Sequence, residues 1–297
     1  MNKKYVLALG VFDGVHRGHQ KLLQVLLRIA HRENLTPMVA LFPYSPGLYL
    51  KQEKVVRLLT TIEERKRILE DELGLGCLKE LPMERSFFSM SAWDFLEQVV
   101  VKKWRARSFV CGENFALGQN RACSVVSFQD FAKPLGIEFH VVKLLGNVQP
   151  VSSTLIRGLL ADGDLNAVNR LLGRPYSVSG KVVRGKGIAQ KLLGFPTTNL
   201  SVSSYKMLPR GVFYGWVQGL KRWAVINIGY RPTIDKVRSA DKALVVEAHV
   251  LGYRGNLYGK NLSLELRKKL RGEVEFKTVE ELRFQIARDI ELAKRRL

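Results

Sequence analysis

A chain of 297 residues is long for one domain and comfortable for two. Its 46% apolar and 25% charged residues are those of a globular protein, which excludes a disordered or fibrous chain, and no stretch approaches the roughly 18 uncharged apolar residues of a membrane span. A formal net charge of +21 admits a nucleic-acid binder or a basic surface that draws in anionic nucleotides. The basic residues are dispersed, with only short clusters such as Arg267-Lys268-Lys269 and Lys294-Arg295-Arg296, and no recognised nucleic-acid module stands behind them. The second reading is therefore preferred.

Lys3 and Lys4 precede an apolar run over 5–9 that mimics a leader peptide. The run is short and meets Phe12-Asp13-Gly14 without a small-residue cleavage site, so it predicts a buried strand. Cys77, Cys111 and Cys123 are odd in number, far apart and without metal spacing, which suggests a reducing, cytoplasmic setting. A helix is expected over 18–32, with Leu22, Leu23, Leu26, Leu27 and Ile29 inward, and a strand over 37–42. Thr61 and Glu64 have capping-box spacing at the start of another helix. Strands at 108–112 and 137–142 complete an alternation that predicts an α/β doubly wound parallel sheet, whose ligands bind where strand ends meet helix starts.

Two short helices, 152–161 and 164–172, lead to Gly173-Arg174-Pro175, and there the texture changes. Runs of β-branched and aromatic residues at 176–183, 211–218, 223–228, 244–251 and 262–266, separated by Gly, Pro and Asn, predict a small antiparallel β-barrel. A closing helix starts at Thr278, with Glu281 three residues on and Leu282, Ile286, Ile290 and Leu292 near the helical period. The boundary is placed near 174, giving domains 1–174 and 175–297, and without a Gly-, Ser- or Pro-rich linker the two are expected to pack together.

The first chemical signal is Gly10-Val11-Phe12-Asp13-Gly14-Val15-His16-Arg17-Gly18-His19 at a strand-to-helix turn. Glycines permit close backbone approach, a helix start offers N–H donors, and two imidazoles can donate to a developing phosphoryl charge. Taken alone, the stretch is equally well a tight turn with surface histidines. It resembles the phosphate-binding motif of the nucleotidyltransferase superfamily, and more narrowly the first motif of prokaryotic bifunctional riboflavin kinase/FMN adenylyltransferases. Gly112-Glu113-Asn114-Phe115 with Gly118 resembles that family's loop after a later strand, and Ser152-Ser153-Thr154-Leu155-Ile156-Arg157 its second nucleotide motif. Bare, the latter is a set of helix caps.

The resemblance implies in-line attack of the FMN phosphate on the ATP α-phosphorus with release of pyrophosphate. It assigns His16, His19 and Arg157 to transition-state charge, Gly10, Phe12, Gly18, Ser153 and Thr154 to the nucleotide, and Asn114 and Phe115 to the flavin. Two positions depart from the family: Val11 where Asn is frequent, and Phe42-Pro43-Tyr44-Ser45-Pro46 where a Phe-x-Pro-His-Pro segment is usual. They leave open a monofunctional kinase with a degenerate first domain.

Gly194-Phe195-Pro196-Thr197-Thr198-Asn199 reads bare as a turn entering a strand. It resembles the riboflavin kinase signature, which implies Thr197 and Asn199 at Mg2+ and the ATP phosphates, both oxygen ligands of the kind Mg2+ takes. Leu208-Pro209-Arg210-Gly211-Val212-Phe213 and Asn227-Ile228-Gly229-Tyr230-Arg231-Pro232-Thr233 follow in the family's order. Glu247, bare, is a solvent-facing strand residue; by resemblance it is the base that takes the riboflavin 5′-hydroxyl proton. His249 is read as structural. Lys191 stands where the family carries Arg before the signature and is expected to contact nucleotide with a point charge rather than a fork. The substrates implied are riboflavin, FMN and ATP, with Mg2+ and with neither membrane nor nucleic acid as partner.

Overall fold

The computed structural model describes residues 3–46, 57–117, 123–143, 145, 150–184, 196–230, 244–274 and 276–295. Lys191, Gly118, Gly194, Phe195 and the segment 231–233, singled out above, lie outside them. The chain divides into two compact units, Met1–Ser153 and Thr154–Leu297.

The first unit is built on β1 (Tyr5–Gly10), β2 (Thr36–Leu41), β3 (Leu78–Glu80), β4 (Ala106–Gly112) and, after a two-stranded hairpin of β5 (Ala116–Leu117) and β6 (Cys123–Ser124), β7 (Glu138–Val142). The five long-range strands form one parallel sheet in the order β3-β2-β1-β4-β7. A parallel sheet is covered on both faces, which explains the near-continuous apolar run of β1. Val6 and Ala8 enter one core with the helix α1 (Arg17–Arg32), and Leu7 and Leu9 enter the opposite one. Leu22, Leu23, Leu26, Ile29 and Ala30 give α1 its buried stripe.

The helix α2 (Ile62–Arg67) has the expected capping box, with Glu64 N donating to Thr61 Oγ1 at 3.2 Å and Thr61 N to Glu64 Oε2 at 3.1 Å. It continues as a π-wound turn, Ile68–Glu72. A second π-wound stretch, Phe95–Lys103, continues α3 (Ala92–Asp94), and α4 (Val125–Ala132) precedes β7. Because β2 and β3 wind to one side of β1 and β4 and β7 to the other, the winding reverses between β1 and β4. The crevice beyond the carboxyl ends of those two strands is where such sheets take their ligands. Cys111 is buried in the sheet, and burial pushes its thiol up to about 12, which makes it an inert packing group.

The second unit starts within α5 (Ser153–Asp162) and includes α6 (Leu165–Leu172). Asp164 caps α6 and Gly173, at φ 75°, ends it. The compact division therefore falls at the first turn of α5, ahead of α6 and of the change of texture near 174. The reason is local: Asn169 on α6 donates through Nδ2 to Leu266 O at 3.0 Å, and its Oδ1 accepts from Tyr176 N at 2.8 Å.

Six strands, β8 (Tyr176–Val183), β9 (Thr198–Ser201), β10 (Gly211–Gln218), β11 (Arg222–Tyr230), β12 (Leu244–Val250) and β13 (Asn261–Arg271), close into an antiparallel barrel in the order β10-β11-β12-β9-β8-β13. Closure removes the exposed edges of the sheet. The helix α7 (Val279–Lys294), capped by Thr278, lays Ile290 and Ala293 on Val212, Tyr214 and Val225. Asp289, 2% exposed, anchors it by accepting from Arg271 Nη2 at 2.8 Å and Nε at 3.0 Å, and from Gln285 Nε2 at 2.9 Å. Arg271 is about a fifth exposed and so keeps some water on losing its partner, and Asp289→Ala is expected to destabilise the barrel unit by about 1–3 kcal/mol. Chemical denaturation followed by tryptophan fluorescence checks this, since all the described tryptophans of that unit lie in the barrel strands.

Candidate functional site

In the first unit the chain leaves β1 at Gly10 and starts α1 at Arg17, turning in left-handed backbone at Phe12 (φ 51°), Gly14 (φ 79°) and Val15 (φ 40°). A β-branched residue at positive φ is strained and persists only when its surroundings over-determine it. Here they do. The Asp13 carboxylate accepts from Leu59 N at 3.2 Å, Thr60 N at 3.0 Å and Thr60 Oγ1 at 3.2 Å, while Gly14 N donates to Thr60 Oγ1 at 2.8 Å. Ser153 Oγ donates to Asp13 O at 2.8 Å, so this residue of the second nucleotide motif is bonded to the first motif. Gln20 Nε2 closes the turn onto Val15 O at 2.9 Å.

The turn delivers His16 as the cap of α1, with His19 N donating to His16 Nδ1 at 3.4 Å. The two imidazoles stack at 3.6 Å between centroids and 19° between planes, and the edge of Phe12 meets His19 at 5.2 Å. His16 is 4% exposed and His19 half-buried, both beside the first-turn N–H groups of a helix, the positive end of its dipole. Gly18 completes the arrangement because a Cβ there would come within 3.1 Å of the His16 ring. Gly10 is likewise pressed by Phe12, at 3.2 Å from a Cβ.

Asn114 and Phe115 follow the carboxyl end of β4, the strand beside β1. Phe115 N donates to Gly112 O at 2.9 Å, and the Phe115 ring packs on Phe109 and Phe128 at 5.6 and 5.5 Å while Asn114 is exposed. Phe115 is thus a partly buried residue packed against the core. Thr154 and Arg157 lie on α5 in the second unit, where Arg157 Nη2 donates to Thr154 Oγ1 at 3.2 Å. Three residues of the turn's support, Asp13, Thr60 and Arg65, were not singled out by their sequence context. Asp13 sits within a motif read for its histidines, and Arg65 in the charged run Glu63-Glu64-Arg65-Lys66-Arg67 reads as a solvated helix face.

In the barrel, β12 alternates strictly. Val246, Ala248 and Val250 are buried inward, and Glu247 and His249 point to the outer face. The register sets Glu247 opposite Asn199 on β9 and opposite Asn227 on β11, so one row across three strands reads Asn199, Glu247, Asn227. Opposed residues project from the same face of a sheet. Asn199 is 8% exposed and Glu247 half-buried. Thr197 immediately precedes β9, two residues from Asn199. His249 Nδ1 lies 2.8 Å from Pro196 O, an acceptor, so this histidine pins the chain ahead of Thr197, in keeping with a structural part. Asn227 was quoted above within a motif without a role, and only the strand register places it beside Glu247.

A switch-point crevice lined by a histidine-bearing helix start, joined in one chain to a barrel with a row of oxygen donors, defines a two-part enzyme of phosphorus-group transfer. The profile of the FAD synthetase family matches residues 1–155, and that of the riboflavin kinase family residues 172–297. A curated relative from Escherichia coli strain K12, described as a bifunctional riboflavin kinase/FMN adenylyltransferase, is 35% identical over 289 residues, 96% of this chain and 90% of its own. One from Bacillus subtilis strain 168 with the same description is 32% identical over 290 residues, 96% and 90% of the two chains. The chain belongs to the bifunctional riboflavin kinase/FMN adenylyltransferase family. A solved structure described as a macrolide-efflux protein from Streptococcus pneumoniae shares its fold at a TM-score of 0.84 and 26% identity, over 99% of this chain and 95% of that one. Among the described residues here, no helix is long and apolar enough to cross a membrane.

The position of the His16 ring against Gly18 gives a direct test. Gly18→Ala is expected to displace the ring by a few tenths of an ångström and to slow FAD formation roughly 10-fold or more, leaving FMN formation unchanged. Steady-state rates of both reactions on one preparation decide it.

Proposed function

We propose that this protein phosphorylates riboflavin to FMN on the barrel and adenylylates FMN to FAD on the parallel-sheet unit, with ATP as donor in both reactions. The observation that carries the reading is the pairing of the family match with a polar constellation in each of two separate units.

In the adenylylation, the FMN phosphate attacks the α-phosphorus of ATP in line and pyrophosphate leaves. No covalent intermediate on the protein is required, so its work is positioning and charge neutralisation. His16 and His19 donate to the oxygens that gain charge, joined by Arg157, whose fork suits phosphate. Gly10, Phe12 and Gly18 shape the turn against the nucleotide, with Ser153 and Thr154 supplying hydroxyls. Asn114 and Phe115 face the flavin from the end of β4. Val11 enters this scheme through its carbonyl, which accepts from Arg65 Nη1 at 2.6 Å.

In the kinase reaction, Glu247 takes the proton of the riboflavin 5′-hydroxyl as that oxygen attacks the γ-phosphorus of ATP. The donor set fits Mg2+. Thr197 offers a hydroxyl, Asn199 an amide oxygen from a mostly buried position, and Glu247 stands next to Asn199 in the ladder. Thr197 and Asn199 would hold the cation, which when bound would supply neutralisation of phosphate charge, and Lys191 would add a positive charge to the nucleotide. The setting proposed is the cytoplasm, where ATP and reduced thiols are supplied, and the basic surface raises the local concentration of anionic substrates.

The test is a time course with riboflavin, ATP and Mg2+, the flavins separated by chromatography. FMN is expected first and FAD after it; FMN alone would leave a monofunctional kinase, and no conversion would overturn the reading. Glu247→Gln keeps shape and loses the base. It is expected to slow FMN formation by about 100-fold or more, within the usual range for general base catalysis, while FAD still forms from added FMN.

A further inference from the structure

Arg65 is fully buried, 0% exposed, at the carboxyl end of the parallel sheet. A guanidinium has five N–H donors. Here each is used: Nη1 donates to Val11 O at 2.6 Å and Phe42 O at 2.8 Å, Nη2 to Pro43 O and Thr60 O, both at 3.1 Å, and Nε to Thr60 Oγ1 at 3.4 Å. The acceptors belong to three chain segments. Val11 opens the turn that carries His16 and His19, Phe42 and Pro43 lead out of β2, and Thr60 holds Asp13 and Gly14. All three meet beside the crevice where the winding of the sheet reverses.

A side chain needed only for stability has cheaper solutions than a buried cation. Burial pushes the guanidinium down from its ordinary value, and the Asp13 carboxylate opposes that shift through space. What the arginine supplies that an apolar residue cannot is a rigid fork fixing three carbonyl-bearing segments at once. Two non-glycine residues of the turn stand at positive φ, so its shape depends on such external restraint.

We propose that Arg65 is a positioning residue for adenylyl transfer, an inference that rests on the adenylyltransferase reading of the first unit. It touches neither substrate nor reacting atoms. It sets where the stacked imidazoles stand relative to the phosphates, working through Val11 on one side and through Thr60 and Asp13 on the other. A lysine keeps the charge but concentrates its donors on one nitrogen, and so cannot reach five acceptors spread over three segments.

The experiment measures kcat and KM for FAD formation, with FMN formation in the same sample as an internal control, for the full chain and its Arg65→Lys, Thr60→Val and Thr60→Ser variants. For Arg65→Lys, kcat for FAD formation is expected to fall roughly 10- to 100-fold. The KM for ATP should stay within about 3-fold of wild type, because the nucleotide contacts themselves remain. FMN formation should be unchanged. Thr60→Val should move kcat in the same direction, and Thr60→Ser, which restores the hydroxyl, should recover it. An Arg65→Lys protein with wild-type kcat for FAD would overturn the proposal. So would a loss of FAD formation that only tracks the folded fraction measured by circular dichroism. If Arg65→Lys does not fold, a folded Thr60→Val with wild-type kcat overturns it equally. Wild-type protein that makes FMN and no FAD would sink the adenylyltransferase reading, and this inference with it, before any variant is compared.

Discussion

A strand that ends inside a sheet and becomes a helix a few residues later has to turn its backbone where water is scarce, and its polar groups must find partners there. In this chain the turn after β1 meets that demand with one clasp. The Asp13 carboxylate collects N–H and hydroxyl donors from Leu59 and Thr60, and the Arg65 guanidinium collects carbonyls from Val11, Phe42, Pro43 and Thr60. The opposite charges lie on either side of Thr60, whose hydroxyl bonds to both side chains. With the clasp in place, left-handed residues at 12 and 15 are tolerated and two imidazoles stack over the start of α1. Without it, nothing in the local sequence favours that backbone, since Phe and Val both disfavour positive φ.

The two units present their candidate phosphate-binding groups in different ways. The first uses a helix start with imidazoles beside the fixed dipoles of its N–H groups. The second uses strand register: Asn199, Glu247 and Asn227 come together because β9, β12 and β11 pair with those residues opposed. A slip of one residue in β12 would turn Glu247 into the barrel and Val246 out. The buried side chains Val246, Ala248 and Val250 prevent it, so the hydrophobic core of the barrel also fixes the register of the candidate base.

Much of this was legible in the sequence. The strands read over 5–9 and 176–183, the capping box at Thr61 and the closing helix from Thr278 followed from periodicity and caps, because each is set by its own residues. What escaped was set by distant ones. β3 is three residues long and exists only because β2 offers it a partner. The helix α6 reads from its sequence as a tail of the first half, and groups with the barrel through hydrogen bonds of Asn169 that no local pattern announces. Arg65 was hidden most completely. Four charged neighbours surround it in the sequence, and in an amphipathic reading all five belong to a wet face. The histidine motif was read correctly as a turn at a helix start, but its support comes from residues more than forty positions away.

The His16–His19 turn is proposed to serve adenylyl transfer alone, with riboflavin phosphorylation left to the barrel. The most direct measurement is the flavin product profile of His16→Ala given riboflavin, ATP and Mg2+. FMN is expected at the wild-type rate and FAD formation slowed by roughly 100-fold or more, as for loss of a transition-state donor. FAD appearing at the wild-type rate would contradict it, and would place adenylyl transfer elsewhere in the chain.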